Sequence, residues 1–160
     1  MGETIVAIEL NRVDKREIEA LAIVPFIRAV AKKIGLDAAC AILCEVNRKE
    51  AFDRGRSLAQ TLGRNDIDAL VEEVQTWGRG GGWEMRVLER TPRTYFFDVT
   101  RCPYAERYEA LRVRQFGGCL SCCRDEPFAR GFNSRLRLER TKTLMEGAEC
   151  CDFRYHLQEK

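Results

Sequence analysis

Five of the chain's eight cysteines, Cys119, Cys122, Cys123, Cys150 and Cys151, fall within residues 117–157. Asp125 follows Cys123 by two positions, and Asp152 follows Cys151 directly. If the two stretches fold back on the strand predicted between them, over 134–141, thiols and carboxylates converge on one small region. Such a gathering is what a hydrolytic or metal-binding pocket needs. Each thiol also has a plain reading, because free cysteine is among the most buried residue types and often only fills space.

The metal reading is weak on spacing. Cys119 and Cys122 form one C-x-x-C, but adjacent Cys150 and Cys151 are poor chelate geometry. A zinc site from Cys102, Cys119, Cys122 and Cys151 is conceivable. A His-rich site is not, since His156 is the single histidine. It falls in the last predicted strand and reads as a solvated residue. Cys40 and Cys44 are four apart on a predicted helix and share a face, which reads as core.

Strand phase sorts the rest. In 134–141, Arg140 shares a face with Leu136 and Leu138, so it either snorkels at a sheet edge or points into a pocket as an anion clamp. A guanidinium fork suits a small carboxylate. In the last strand, Cys151, Phe153, Tyr155 and Leu157 share one face and Asp152 takes the other. A covered Asp152 would need a partner or a raised pKa. Asp125 is also a candidate N-cap for the Phe128 or Ala129 amides.

The elements that must position these residues change character midway. Residues 13–33 carry Ile18, Leu21, Ala22, Pro25, Phe26, Ala29 and Val30 at helical spacing, with Asp14 as the expected N-cap and Pro25 as an expected kink or break. A second helix is expected from Asp37 to Leu62, its face formed by Cys40, Ile42, Leu43, Val46, Phe52 and Leu58. A third is expected from Asn65 or Asp66 to Trp77, with Ile67, Leu70, Val71 and Val74 inward. Gly80, Gly81 and Gly82 end the helical half and read as a hinge; the Gly-Lys-Ser/Thr ending of a phosphate loop is missing.

After Gly82 the period becomes two, through Trp83, Met85 and Val87, and again through Tyr95, Phe97 and Val99. A helix beginning at Pro103, a short one over 125–132, and strands over 134–141 and 150–157 complete the chain. The expected fold is α+β in a single domain, with a helical part over 1–79 packed on a small antiparallel sheet of about four strands within 83–157.

A chain of 160 residues can bury a core without staples. Its net charge of +2, with both signs interspersed, gives no reason to expect nucleic acid or an anionic membrane as partner. The N-terminal stretch lacks the pattern of a signal peptide or a myristoylation site. A cytoplasmic location with reduced cysteines is expected.

The stretches CPYAERY (102–108) and CCRDEPFARGFNSRLRLERTKTLMEGAECCDFRY (122–155) resemble the L-2-amino-thiazoline-4-carboxylic acid hydrolase family. The most specific parts are Asp125 with Gly131-Phe132-Asn133, the run Arg140-Thr141-x-Thr143, and Gly147 leading to Cys151-Asp152-Phe153. The family often has proline after the asparagine, where this chain has Ser134. The resemblance implies a small hydrolase that opens a cyclic amidine-like ring, the name-giving reaction yielding N-carbamoyl-cysteine. A small-molecule substrate and no cofactor are expected, a homodimer and a bound metal being left open. Cys122, Cys123 or Cys151 would attack as thiolate, or Asp125 or Asp152 would activate water. Arg140 would hold the substrate carboxylate, with Asn133, Thr141 and Thr143 near the ring. The other reading is a small-ligand or metal-binding sensor module that uses the cysteines without catalysis.

Overall fold

The computed structural model describes residues 10–159; the N-terminal stretch read above for targeting lies outside them. Six helices run over Arg12–Ile34 (α1), Leu36–Leu62 (α2), Ile67–Gln75 (α3), Pro103–Ala110 (α4), Gly117–Leu120 (α5) and Asp125–Phe132 (α6). Four strands, Glu84–Arg90 (β1), Thr94–Arg101 (β2), Leu136–Glu139 (β3) and Cys151–Leu157 (β4), form one sheet in the order β1-β2-β4-β3, antiparallel throughout. The α+β fold expected from the sequence is present, helices mainly N-terminal and strands C-terminal. Among the described residues, no helix is long and apolar enough to cross a membrane.

Two cores hold the layers together. In the first, α3 and α6 cover one sheet face: Leu70, Val74, Phe128 and Phe132 pack on Tyr95, Phe97, Phe153 and Tyr155. The Phe97 and Phe153 rings stack at 4.9 Å. In the second, Ala20, Val24 and Ile27 of α1 meet Ala39 of α2 and Tyr108, Phe116, Leu120 and Met145. The backbones of α2 and α6 approach closely because glycine stands at the crossing. A methyl group on Gly55 would strike the Phe128 carbonyl, and one on Gly131 the Phe52 carbonyl.

Several local expectations are corrected. Helix α1 runs unbroken through Pro25, and its N-cap is Asn11, whose side chain accepts from the Asp14 amide at 3.0 Å. Its buried stripe is Val13, Ala20, Val24 and Ile27, while Ile18, Leu21 and Phe26 are exposed. On α2 the buried stripe is Ala39, Asn47, Ala51 and Gly55, with Ile42 and Val46 exposed. On α2 small residues win because α6 comes close; on both helices other large apolar positions, rotated by about a third of a turn, are left outside. Strand β3 is shorter than expected, so Arg140 lies just beyond it. Helices α3 and α6 match expectation, the former with Asp66 as its cap.

Candidate active site

Asp125 is the first residue of α6, and the side chain of neither Arg124 nor Asp125 caps that helix. The Asp125 carboxylate instead pairs with the guanidinium of Arg140, which also donates to the Cys122 carbonyl at 3.1 Å. Arg140 stacks over the Phe153 ring, 5.2 Å from its centroid. Both members are largely withdrawn from solvent, at 16% and 23% side-chain exposure for Arg140 and Asp125. The fork of Arg140 is thus committed inside the protein. Burial pushes the Asp125 carboxyl above the usual aspartate range, and Arg140, Arg16 and Arg54 only partly offset this.

Cys102, Cys122 and Cys151 surround this ion pair at electrostatic range. None is poised as a thiolate. Burial pushes the Cys122 thiol well up, with the Asp125 charge adding to the effect, and it pushes Cys151 up to about 11. Cys151 Sγ accepts from the Leu144 amide at 3.1 Å. Tyr155 is buried against the same ion pair, and its hydroxyl makes no hydrogen bond among the described residues. A buried hydroxyl ordinarily has a partner, from the protein or from water.

A second group of thiols faces elsewhere. Cys119 and Cys123 meet Cys40 and Cys44 of α2, and burial again raises the first two, Cys123 up to about 12. All eight cysteines are free. Among the described residues, no three His, Cys, Asp or Glu side chains are grouped to hold a metal ion. The set Cys102, Cys119, Cys122 and Cys151 is divided, since Cys119 belongs with α2 and the other three with Asp125.

Asp152 sits on the opposite sheet face from Tyr155. It accepts from the Thr141 amide at 2.9 Å, the Thr141 hydroxyl at 2.6 Å and the Lys142 amide at 2.8 Å. Burial opposes its charge, but these hydrogen bonds prevail and the carboxyl is held below the usual range. Thr143 caps the turn at Leu144–Glu146, accepting from the Glu146 amide at 3.1 Å. Asn133 bridges Arg135 and Asn65, accepting at 2.9 Å and donating at 2.9 Å. Asn133, Thr141, Thr143 and Asp152 therefore brace the loop and sheet around the ion pair. His156 is half-exposed on β4.

The opening onto Asp125 is a cleft of about 460 Å³ between α1, α2 and α6, its wall shared by Trp77, Tyr104, Ser121 and Phe128. Of the candidate residues named from the sequence, Asp125 alone lines it; Arg12, Arg16, Arg54 and Arg124 do so as well. Sequence reasoning missed these arginines. Arg12 and Arg16 are four apart on α1, hence on one face, but nothing local in the sequence brings them to Arg54 or Asp125.

Comparison with known proteins bears on this site. The sequence model of the L-2-amino-thiazoline-4-carboxylic acid hydrolase family matches residues 15–155. No curated protein gives a significant match. Among solved structures, the crystal structure of a trafficking protein particle complex subunit 3 from Naegleria fowleri, covalently bound to palmitic acid, is similar, with a TM-score of 0.55. The identity is 12%, over 91% of this chain and 96% of that one, so the likeness is one of fold.

Proposed function

The chain belongs to the L-2-amino-thiazoline-4-carboxylic acid hydrolase family, and from that premise we propose that it opens a small cyclic amidine-like ring by hydrolysis, with Asp125 as general base. The observation that carries this reading is the position of Asp125. It lies in a cleft of small-molecule size, largely withdrawn from water, beside a fixed guanidinium. A carboxylate whose pKa is raised by burial is a better base than a surface aspartate.

With 2-amino-thiazoline-4-carboxylate as substrate, Asp125 takes a proton from water as the oxygen bonds to the amidine carbon. It passes that proton to the ring nitrogen as the carbon–nitrogen double bond opens; the remaining hydroxyl proton is the one the sulfur takes. The bond from that carbon to the ring sulfur then breaks. The sulfur leaves with a proton, the water oxygen becomes the carbonyl of N-carbamoyl-cysteine, and one water is consumed per turnover. Arg140 holds Asp125 ionised and aimed. The raised thiols favour water over Cys122, Cys123 or Cys151 as the nucleophile, because the thiolate is the reactive form. Asp152, Asn133, Thr141 and Thr143 act here as supports for the site.

Incubating purified protein with 2-amino-thiazoline-4-carboxylate tests the proposal. Expected are one new free thiol per substrate consumed and a product heavier by one water. No thiol release, with intact substrate recovered, overturns it. A binding module without turnover is the second reading, favoured by the fold shared with a protein that carries palmitic acid. In that case the acid binds and is recovered unchanged.

A further inference from the structure

We propose that Arg16 and Arg54 form an anion clamp at the mouth of the cleft, holding a carboxylate of the substrate and so restricting the site to acidic rather than neutral cyclic amidines. This rests on the ring-opening reading above and adds to it the part of the substrate that is recognised.

Arg12, Arg16 and Arg54 reach the cleft from two helices. One carboxylate oxygen, Glu73 Oε1, serves several donors: Arg12 at 2.8 Å, Trp77 Nε1 at 3.2 Å and Arg54 at only 3.4 Å. Arg54 is therefore the least well neutralised of the group. Its guanidinium lies over the ring of Phe128, another residue of the cleft wall, 4.9 Å from the centroid. Arg16 pairs with Glu19 on its own helix, an exposed partner that an incoming anion can replace at small cost. Burial and the neighbouring charges of Arg12 and Arg16 press Arg54 below its ordinary pKa, with Glu73 working against them. An anion entering here relieves that repulsion.

Arg16 and Arg54 also lie near enough to Asp125 to stabilise its charge. A substrate carboxylate held by them therefore sits in the same cleft as the proposed base. Arg140 cannot take this role, since its guanidinium is engaged by Asp125 and the Cys122 carbonyl.

The test compares 2-amino-thiazoline-4-carboxylate with 2-amino-thiazoline, which lacks the carboxylate, in the parent, Arg54→Met, Arg54→Lys and Arg16→Gln. Lys49→Met, a charge removed from exposed α2 surface outside the cleft, is the control. Expected is a KM for the acid raised roughly 10–100-fold in Arg54→Met, the scale of a lost charge-assisted hydrogen bond. Arg54→Lys recovers part of it, and the parent's preference for the acid shrinks in both neutralised variants. Equal KM for acid and neutral analogue in the parent, or an unchanged KM in a folded Arg54→Met, overturns the clamp while leaving ring opening intact. If the parent opens neither ring, calorimetric titration with the acid decides separately. A Kd weakened in Arg54→Met but not in Lys49→Met upholds the clamp; no binding, or an unchanged Kd, overturns it.

Discussion

Asp98 and Asp152 stand directly opposite one another across β2 and β4, two buried carboxylates on the sheet face turned away from the aromatic core. They coexist because each has its own donors. Arg154 at 2.8 Å and Arg86 at 3.2 Å serve Asp98, whereas Thr141 and Lys142 serve Asp152. Hydrogen bonding from Arg154 holds the Asp98 carboxyl below its ordinary value, although burial works the other way.

Asp152→Asn is therefore expected to lower stability by about 1–3 kcal/mol, the cost of disrupting hydrogen bonds to a charged group. Ring opening by the folded variant should persist. Denaturant melts with a turnover assay check both, and loss of turnover at unchanged stability would place Asp152 in the chemistry. Both carboxyls are depressed in the folded state. Their contribution is complete above the ordinary carboxyl pKa and is lost as pH falls through the lower folded values. Acid unfolding should accordingly set in below about pH 4 and move to higher pH in Asp152→Asn.

Asp125→Asn keeps the shape of the side chain and removes the base. Turnover should fall by roughly 10²–10⁴-fold, as for loss of a general base. Because burial raises Asp125, the acid limb of kcat/KM should lie above the ordinary aspartate range. Arg140→Met removes the strongest opposing charge, so that limb should move to still higher pH. A limb that stays in place in Arg140→Met would separate the two residues functionally.

Thiol labelling near neutral pH should be slow at Cys122, Cys123 and Cys151. With Cys151 up at about 11, roughly one molecule in 10⁴ carries the thiolate at pH 7. A single fast site in this group, found by mass spectrometry after brief alkylation, would restore a cysteine nucleophile.

Gly131→Ala should cost about 1–3 kcal/mol, because the added methyl meets the Phe52 carbonyl, a backbone atom that cannot turn aside. Gly118→Ala, where added volume meets open space, is the control. Equal melting points for the two variants would contradict the close crossing of α2 and α6.

Where local chemistry decides, the sequence was a sufficient guide. Asp66 before an apolar-periodic run marked α3, Pro103 opened α4, and alternation marked β2 and β4. The faces of α1 and α2 were not legible, because Phe26 and Val46 obey helical spacing as well as Val24 and Asn47 do. Only the partner decides which stripe is buried. The site divided in the same way. Asp125 and Arg140 were visible as candidates, but Arg12, Arg16 and Arg54, which share the cleft with Asp125, stand on helices more than sixty residues earlier in the chain.

The glycine crossing has a consequence for what the cleft can accept. Arg54 precedes Gly55, and Asp125 heads the helix that carries Gly131, so the two charged groups are mounted on bars locked together at their crossing. With Arg54 as the proposed clamp and Asp125 as the proposed base, their fixed separation would work as a caliper. A molecule would fit when its acid group and its electrophilic carbon are spaced to match, and a homologue longer by one methylene would place that carbon beyond Asp125 without losing its hold on Arg54. The protein should therefore sort acids by length, taking the longer homologue as an inhibitor rather than as a substrate.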